Sequence, residues 1–233
     1  MLPIGDDNPT NRTSFVVYVL IGLNVFVFGH QLGLSQPELR EFFASWAIVP
    51  AQLTASFQGE ASIPPMVPEW VTLISSQFLH GGFLHLGGNM LFLWIFGNNI
   101  EERLGHTRFA IFYILCGILA GLSQWLISQN SGVPLLGASG AIAGVMGAYI
   151  IRFPGAKVLT LVFLGFFITT IYLPAIVYLG FWFLQQAVLG LSGLNVGSGD
   201  QAGGVAYWAH AGGFVFGILL GPLLGLFRDN GDD

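Results

Sequence analysis

Charged side chains are scarce in this chain of 233 residues. Lys and Arg number 7, Asp and Glu number 12, and together they make up 8% of the sequence. A soluble domain carries about 25% charged residues, so this composition excludes a soluble globule, a disordered chain and a coiled coil. The net charge of −5 leaves no basic surface for nucleic acid. With 54% hydrophobic residues, the chain is predicted to be a polytopic helical membrane protein.

Cysteine is nearly absent as well. Cys116 is the only one, which excludes an intrachain disulfide and a cysteine-rich zinc site. It lies in an apolar run, so we expect it to pack as a small hydrophobic side chain. Glycine is abundant, with 33 residues, and small residues let membrane helices approach one another closely. The composition therefore predicts a compact all-α bundle in the lipid bilayer.

Hydropathy predicts six membrane-spanning helices, each close to the length of about 20 apolar residues that a bilayer requires. They cover approximately residues 13–34, 83–100, 109–128, 135–151, 174–191 and 205–227. Residues 35–70 form a long amphipathic first loop that partly enters the membrane interface. Residues 158–170 are expected to form an interfacial or bent segment before Pro174, because this proline interrupts a run too long for one span. A glycine-rich loop at 193–204 precedes the last span.

The distribution of basic residues predicts the orientation of the six spans. Six of the seven fall on one side of the membrane: Arg12, Arg103, Arg108, Arg152, Lys157 and Arg228. Only Arg40 falls on the other side. By the positive-inside rule, both termini are cytoplasmic. The chain then divides into a short N-terminus at 1–12, a membrane domain at 13–228 and an acidic tail at 229–233.

A serine and a histidine form the first candidate pair for chemistry. Ser139 lies between Gly137 and Gly140, about one turn or more into the fourth span, and His210 lies at a similar depth in the sixth. Glycines recur at helical spacing after both residues, at positions 140, 144 and 147 and at positions 213, 217 and 221. These two glycine stripes would let the parallel helices touch. A serine alone is more simply explained as a packing residue bonded to its own backbone, but the pair suggests a nucleophile and its general base.

His85 and Asn89 form the second candidate set, near the same end of the second span. They are four residues apart and therefore share one helix face. Both side chains can donate a hydrogen bond to a developing oxyanion. His80 and His85 could instead bind a metal, but no acidic ligand is nearby and no His-Glu-x-x-His motif is present. We therefore expect no metal, and no other cofactor.

Taken together, these residues resemble the rhomboid family of intramembrane serine proteases. Its His-x-x-x-Asn motif is matched by His85 and Asn89, its Gly-x-Ser-Gly motif by residues 137–140, and its Ala-His-x-x-Gly motif by residues 209–213. Each motif alone has low specificity, but all three occur in order and in the expected spans. The resemblance extends over about residues 70–227, roughly two thirds of the chain. It implies a six-helix rhomboid-like bundle.

The resemblance also implies roles for the site residues. Ser139 would be the nucleophile and His210 the general base, in a dyad without aspartate. His85, Asn89 and the Ser139 backbone N–H would form the oxyanion hole. The glycines around them, Gly137, Gly140, Gly213 and Gly217, would be structural. One position departs from the family, in which an aromatic residue often packs on the catalytic histidine; here that residue is Ala143, so another side chain must hold the imidazole.

Two further parts of the chain match the family less closely. Residues 35–70 resemble its membrane-embedded first loop, with a structural or substrate-positioning role. The fifth span, with Trp182 and Phe183, resembles its lateral gate. The family's substrates are transmembrane segments of other membrane proteins, so we expect such segments and the lipid bilayer as partners.

Three functions stay open at this point. The first is an active serine endopeptidase, which the presence of both Ser139 and His210 favours. The second is a non-catalytic rhomboid-like protein that binds membrane clients. The third is a channel or transporter, against which the absence of Asp, Glu, Lys and Arg from the centres of the spans argues. We expect a bacterial inner membrane, with the site towards the non-cytoplasmic side.

Overall fold

The computed structural model describes residues 1–60, 67–165, 167–195 and 205–228. The expected acidic tail at 229–233 and most of the expected glycine-rich loop at 193–204 lie outside the described residues. The described chain is mostly helical, as the hydropathy predicts. The described residues also form a small β-sheet, which the hydropathy does not predict.

Nine α-helices lie in the described ranges. They are α1 (Phe15–Leu32), α2 (Gln36–Trp46), α3 (Pro50–Gln58), α4 (Glu69–Ser75), α5 (Phe83–Leu104), α6 (His106–Ile127), α7 (Ser139–Arg152), α8 (Ala175–Asn195) and α9 (Tyr207–Leu223). Among the described residues, three segments are long and apolar enough to cross a membrane, namely α1, α6 and residues Ala175–Ser192 of α8. Helices α7 and α9 are shorter apolar helices, and α5 is 22 residues long.

The described part of the first loop is largely helical, because α2, α3 and α4 all lie within the loop or at its end. A short 3-10 helix, Ser76–Phe78, follows α4. The loop is pinned to the segment before α7 by two reciprocal backbone bonds between Ile48 and Leu135, with N···O distances of 3.2 and 2.7 Å. The Gly137 N–H also donates to the Ser76 carbonyl at 2.9 Å. The loop therefore positions the chain immediately before Ser139.

The expectation of an all-α chain is wrong for three segments. Strands β1 (Leu2–Asp6), β2 (Lys157–Leu164) and β3 (Phe167–Pro174) form one antiparallel sheet in the order β1-β2-β3. The interfacial or bent segment expected before Pro174 is thus a β-hairpin. A continuous apolar run of this kind does not distinguish a strand from a helix by periodicity. Its β-branched residues and the turn at Gly165, where φ is +64°, favour the hairpin.

A buried carboxylate organises the end of the bundle that carries this sheet. Glu101 in α5 is 1% exposed, and its two oxygens accept the N–H groups of Val16 and Val17, both at 2.8 Å. These N–H groups have no partner within α1, because they belong to its first turn. A negative charge there also interacts favourably with the helix dipole. Glu101 therefore fixes the start of α1 on the C-terminal part of α5.

Helix α7 lies at the centre of the bundle, and every residue from Gly140 to Tyr149 is buried. It contacts α9 backbone to backbone. A Cβ atom built on Gly217 would overlap the Gly144 carbonyl, and one on Gly213 would overlap the Gly140 carbonyl. The two glycine stripes therefore face each other, as their spacing suggests. This contact leaves no room between the two helices that carry Ser139 and His210.

Candidate active site

Ser139 and His210 lie in hydrogen-bonding contact. The Ser139 Oγ is 2.8 Å from the His210 Nε2, although the residues are 71 positions apart in sequence. Ser139 is the first residue of α7, and His210 lies in the first turn of α9. The close approach of the two helices through their glycines brings the two side chains together.

Ser139 lies at the end of its helix, whereas the sequence predicts a position about one turn inside it. Helix α7 begins at Ser139 rather than near Leu135. The reason is the extended segment before it, which pairs with Ile48 and turns at Gly137 with φ of +121°. Such a backbone conformation strongly favours glycine. The Ser139 N–H therefore belongs to the first helical turn, whose N–H groups have no partner within the helix.

His85 and Asn89 lie beside the turn that precedes Ser139. A Cβ atom built on Gly137 would be 2.8 Å from the His85 Nε2 and 3.6 Å from the Asn89 Nδ2. Both residues are in the first two turns of α5. A side chain at position 137 would therefore push against His85, so Gly137 is required for close approach as well as for its backbone angle.

His80 also belongs to this site, although the sequence suggests only a metal-binding alternative for it. Its Nε2 accepts a hydrogen bond from the Asn89 Nδ2 at 2.9 Å. Its backbone is held by Gln31 of α1, which accepts the His80 N–H at 3.1 Å and donates to the His80 carbonyl at 2.7 Å. Burial lowers the pKa of His80 to about 4, so its imidazole is neutral near pH 7 and can accept this bond. His80 thereby orients the Asn89 amide.

Two residues of α8 hold the His210 imidazole. They take the place of the aromatic residue that the family often has at the position of Ala143. The Gln186 Oε1 is 2.8 Å from the His210 Nδ1. The Trp182 ring lies with its centroid 5.7 Å from that of His210, at an interplanar angle of 37°. Phe183 stacks on Phe214 at a centroid distance of 4.8 Å. Trp182 and Gln186 are four residues apart, so they share the helix face that meets α9.

Five of the candidate residues, namely Ser139, His210, His85, Asn89 and Trp182, line one cleft of about 230 Å³. Its lining residues are Leu84, His85, Gly88, Asn89, Phe92, Ser139, Ile142, Met146, Trp182 and His210. A larger cavity of about 390 Å³ is lined mainly by apolar side chains of α1 and α2 together with Phe78 and Leu79. It holds none of the candidate residues, so its size does not make it the site. Within the described ranges, no group of three or more His, Cys, Asp or Glu could hold a metal ion.

The arrangement supplies the parts that acyl transfer requires. A hydroxyl contacts an imidazole nitrogen that can take its proton. An amide, a second imidazole and a backbone N–H at a helix start lie around the same point and can donate to an oxyanion. The N-terminal ends of α5, α7 and α9 converge here, and their dipoles favour negative charge.

Comparison with known proteins shows the family to which the chain belongs. Residues 67–227 match the family described as Rhomboid domain. The chain is 34% identical over 215 residues to "Rhomboid protein 1, mitochondrial" of Saccharomyces cerevisiae, covering 88% of this chain and 52% of the yeast protein. It is 31% identical over 163 residues to "Rhomboid-like protein 11, chloroplastic" of Arabidopsis thaliana, covering 69% and 54%.

A bacterial protein is also among the similar relatives. The chain is 32% identical over 158 residues to "Rhomboid protease GluP" of Bacillus subtilis, covering 68% of this chain and 27% of that protein. The chain thus spans between about a quarter and about half of the length of these relatives. The family match itself extends over more than half of the present chain. The chain therefore belongs to the rhomboid family, whose members are integral membrane proteins and mostly serine intramembrane proteases.

Proposed function

We propose that this chain is an intramembrane serine endopeptidase that hydrolyses a peptide bond in or near a transmembrane segment of a membrane protein. The observation that carries the proposal is the 2.8 Å contact between the Ser139 Oγ and the His210 Nε2. The proximity of His85 and Asn89 to the same turn supports it. A serine with only a packing role would not require a base and two further hydrogen-bond donors beside it.

The proposed reaction has two halves. His210 Nε2 takes the Ser139 hydroxyl proton while the Oγ attacks the scissile carbonyl, and the charge on the carbonyl oxygen is stabilised by Asn89, His85 and the Ser139 N–H. The tetrahedral intermediate collapses when His210 returns the proton to the leaving amine, which leaves an acyl group on Ser139. Water, deprotonated by His210, then hydrolyses this ester and restores both side chains.

The proposal includes six spans, formed by α1, α5, α6, α7, α8 and α9, with residues 13–228 as the membrane domain. The basic residues favour cytoplasmic termini, so the N-terminal ends of α5, α7 and α9 face the opposite side. Hydrolysis requires water, which the bilayer core lacks. A site at these helix ends can receive water from the non-cytoplasmic side.

Substrate access is proposed to be lateral, between α5 and α8. Leu84 of α5, which is 94% exposed, and Trp182 of α8 both line the cleft. Trp182 and Phe183 would then form the gate, and a substrate helix would unwind locally to expose its scissile carbonyl. A bacterial inner membrane is the proposed location, although relatives are named mitochondrial and chloroplastic as well.

Cleavage of a transmembrane substrate in proteoliposomes tests the proposed function. A fluorescent single-span substrate is reconstituted with the protein, and mass spectrometry identifies the cleaved bond. We expect one bond in or near the span to be cut, and faster cleavage when Gly or Pro is introduced beside it, because these residues weaken the helix. Stable binding of the substrate without cleavage would instead favour the alternative, a non-catalytic rhomboid-like binder.

Replacing Asn89 by alanine tests the proposed oxyanion hole. We expect Asn89→Ala to lower kcat by roughly 10²–10³, the usual effect of removing one oxyanion donor. Asn98→Ala is the matched control, since Asn98 lies in the C-terminal part of the same helix and its side chain accepts from the Asn99 N–H. Equal values of kcat in wild type and Asn89→Ala would remove Asn89 from the mechanism.

A further inference from the structure

We propose that Gln186 is a positioning residue that fixes the tautomer of His210, so that the working unit is Ser139, His210 and Gln186. This inference rests on the proposed function and deepens it. The Gln186 Oε1 is an acceptor without a proton, so its contact with the His210 Nδ1 at 2.8 Å requires the ring proton to be on Nδ1. The neutral imidazole then presents the lone pair of Nε2 to Ser139.

The site around Gln186 is suited to a neutral acceptor. Gln186 is 8% exposed, and burying an unpaired carboxylate at such a position would carry a large desolvation penalty. A glutamine orients the ring and selects its tautomer without that charge. Trp182, one turn earlier on α8, packs against the His210 ring, so one helix face controls both the ring plane and its proton.

This arrangement makes the position of α8 part of the catalytic geometry. Gln186 is on α8, whereas Ser139 and His210 are on α7 and α9. Any movement of α8 away from α9 would remove the acceptor from Nδ1 and leave the two tautomers in competition. The reaction therefore requires α8 to be packed against α9, whichever movement lets the substrate enter.

Three variants of α8 and one spectrum test the role of Gln186. Gln186→Met keeps a similar shape without an acceptor, Gln186→Glu keeps the acceptor, and Gln185→Met makes the same change on an exposed neighbour. For labelling by a fluorophosphonate, we expect Gln186→Met to lower the maximal rate about 10–100-fold with little change in the half-saturating concentration. Gln186→Glu should restore part of the rate, because it returns an acceptor to the His210 Nδ1 at the cost of burying a carboxylate. Gln185→Met should behave as wild type.

The ¹⁵N spectrum of the His210 imidazole provides a readout independent of activity. We expect the proton on Nδ1 in wild type and a mixture of tautomers in Gln186→Met. A wild-type spectrum with the proton on Nε2, or Gln186→Met labelling at the wild-type rate, would overturn the role of Gln186. If wild type were not labelled at all, the proposed function would fail, while the spectrum would still decide whether Gln186 selects the tautomer.

We also infer, from a separate observation, that the tip of the β2–β3 hairpin inserts into the lipid bilayer. The tip consists of two adjacent cross-strand pairs, Phe163 with Ile168 and Leu164 with Phe167, and all four side chains are more than half exposed. Successive pairs point to opposite faces of a hairpin, so both faces of this tip are apolar. A hairpin surrounded by water is expected to have one polar face.

The surrounding surface indicates that lipid covers the tip of the hairpin. Exposed apolar side chains continue from the tip along β3, at Ile171 and Tyr172, to the start of α8, at Ile176 and Val177. Helix α8 contains a candidate membrane span, so its exposed apolar face is a lipid-facing surface. That surface extends onto the hairpin without a charged residue, since none occurs after Lys157 until Asp200.

Spin labels in proteoliposomes test the insertion of the hairpin. A label at Phe167→Cys is compared with one at Lys157→Cys, at the exposed base of the same hairpin, with Cys116 replaced by alanine. We expect the label at 167 to be accessible to oxygen and shielded from a water-soluble nickel complex, and the label at 157 to be accessible to nickel. Equal access of nickel to both labels would mean that the tip lies in water. Shielding of 167 from both reagents would mean that protein covers it, and either result would overturn the inference.

Discussion

Labelling by a serine-directed fluorophosphonate is expected to disappear in Ser139→Ala. The substitution removes one hydroxyl, which is the atom that would form the covalent bond. His210→Ala is expected to lower the labelling rate nearly as much. Among the described residues, the His210 Nε2 is the base that the Ser139 hydroxyl contacts, at 2.8 Å, and the substitution removes it. Loss of one member of such a pair typically abolishes most of the rate enhancement. In-gel fluorescence of the purified protein measures both effects, without knowledge of the substrate.

Matched substitutions separate loss of chemistry from loss of fold. Ser192→Ala removes an exposed hydroxyl that bonds to the Val188 carbonyl within α8, and His30→Ala removes an exposed imidazole of α1. Both variants should be labelled at the wild-type rate, and all four should unfold at similar temperatures. Labelling that persists in Ser139→Ala would identify another nucleophile and exclude Ser139. A well-folded wild type that resists labelling would favour the non-catalytic binder.

The second large effect is expected from Gly217→Ala in the contact between α7 and α9. A Cβ atom at position 217 would overlap the backbone of Gly144, at its carbonyl and its Cα. Backbone atoms cannot move aside as the end of a flexible side chain can, so α7 and α9 must separate. Overpacking a core usually costs about 1–3 kcal/mol, and we expect the upper end of this range or more. The midpoint of thermal unfolding in detergent should fall, and labelling should fall with it, because Ser139 and His210 are on the two helices that separate.

Gly22→Ala is the control for this effect. Gly22 lies within α1, and a Cβ atom there would meet no atom within 4 Å. Because alanine has the higher helix propensity, this variant should be unchanged or more stable by about 0.5–1 kcal/mol. If Gly217→Ala unfolded at the wild-type temperature, the close contact of α7 with α9 could not be what brings the candidate pair together.

Several features of the molecule follow from short stretches of sequence. The scarcity of charge and the apolar runs predict a membrane protein, because transfer into lipid depends on summed hydropathy and not on tertiary contacts. Membership of the rhomboid family is confirmed, since its motifs are local and keep their order. The glycine stripes suggest the contact between α7 and α9 for the same reason: a spacing of three or four residues defines one helix face wherever the helix lies.

Other features depend on contacts between distant parts of the chain. The place of Gln186 beside His210 depends on the rotation of α8 about its axis, which hydropathy leaves undetermined for an almost uniformly apolar helix. The role of His80 depends on Gln31, 49 residues away. Strand β1 pairs with β2 across about 150 residues, and an apolar run such as 158–174 is compatible with a helix until that partner is known.

The sequence by itself determined the class of the protein, its family and the residue types that could carry the chemistry. Only the tertiary structure decided which side chain holds His210, where α7 begins and that the segment before α8 is a hairpin. The physical reason is the range of the interactions involved. Hydropathy and helical spacing act within a few turns of one helix, whereas hydrogen-bond geometry and strand pairing arise only when separate segments pack together.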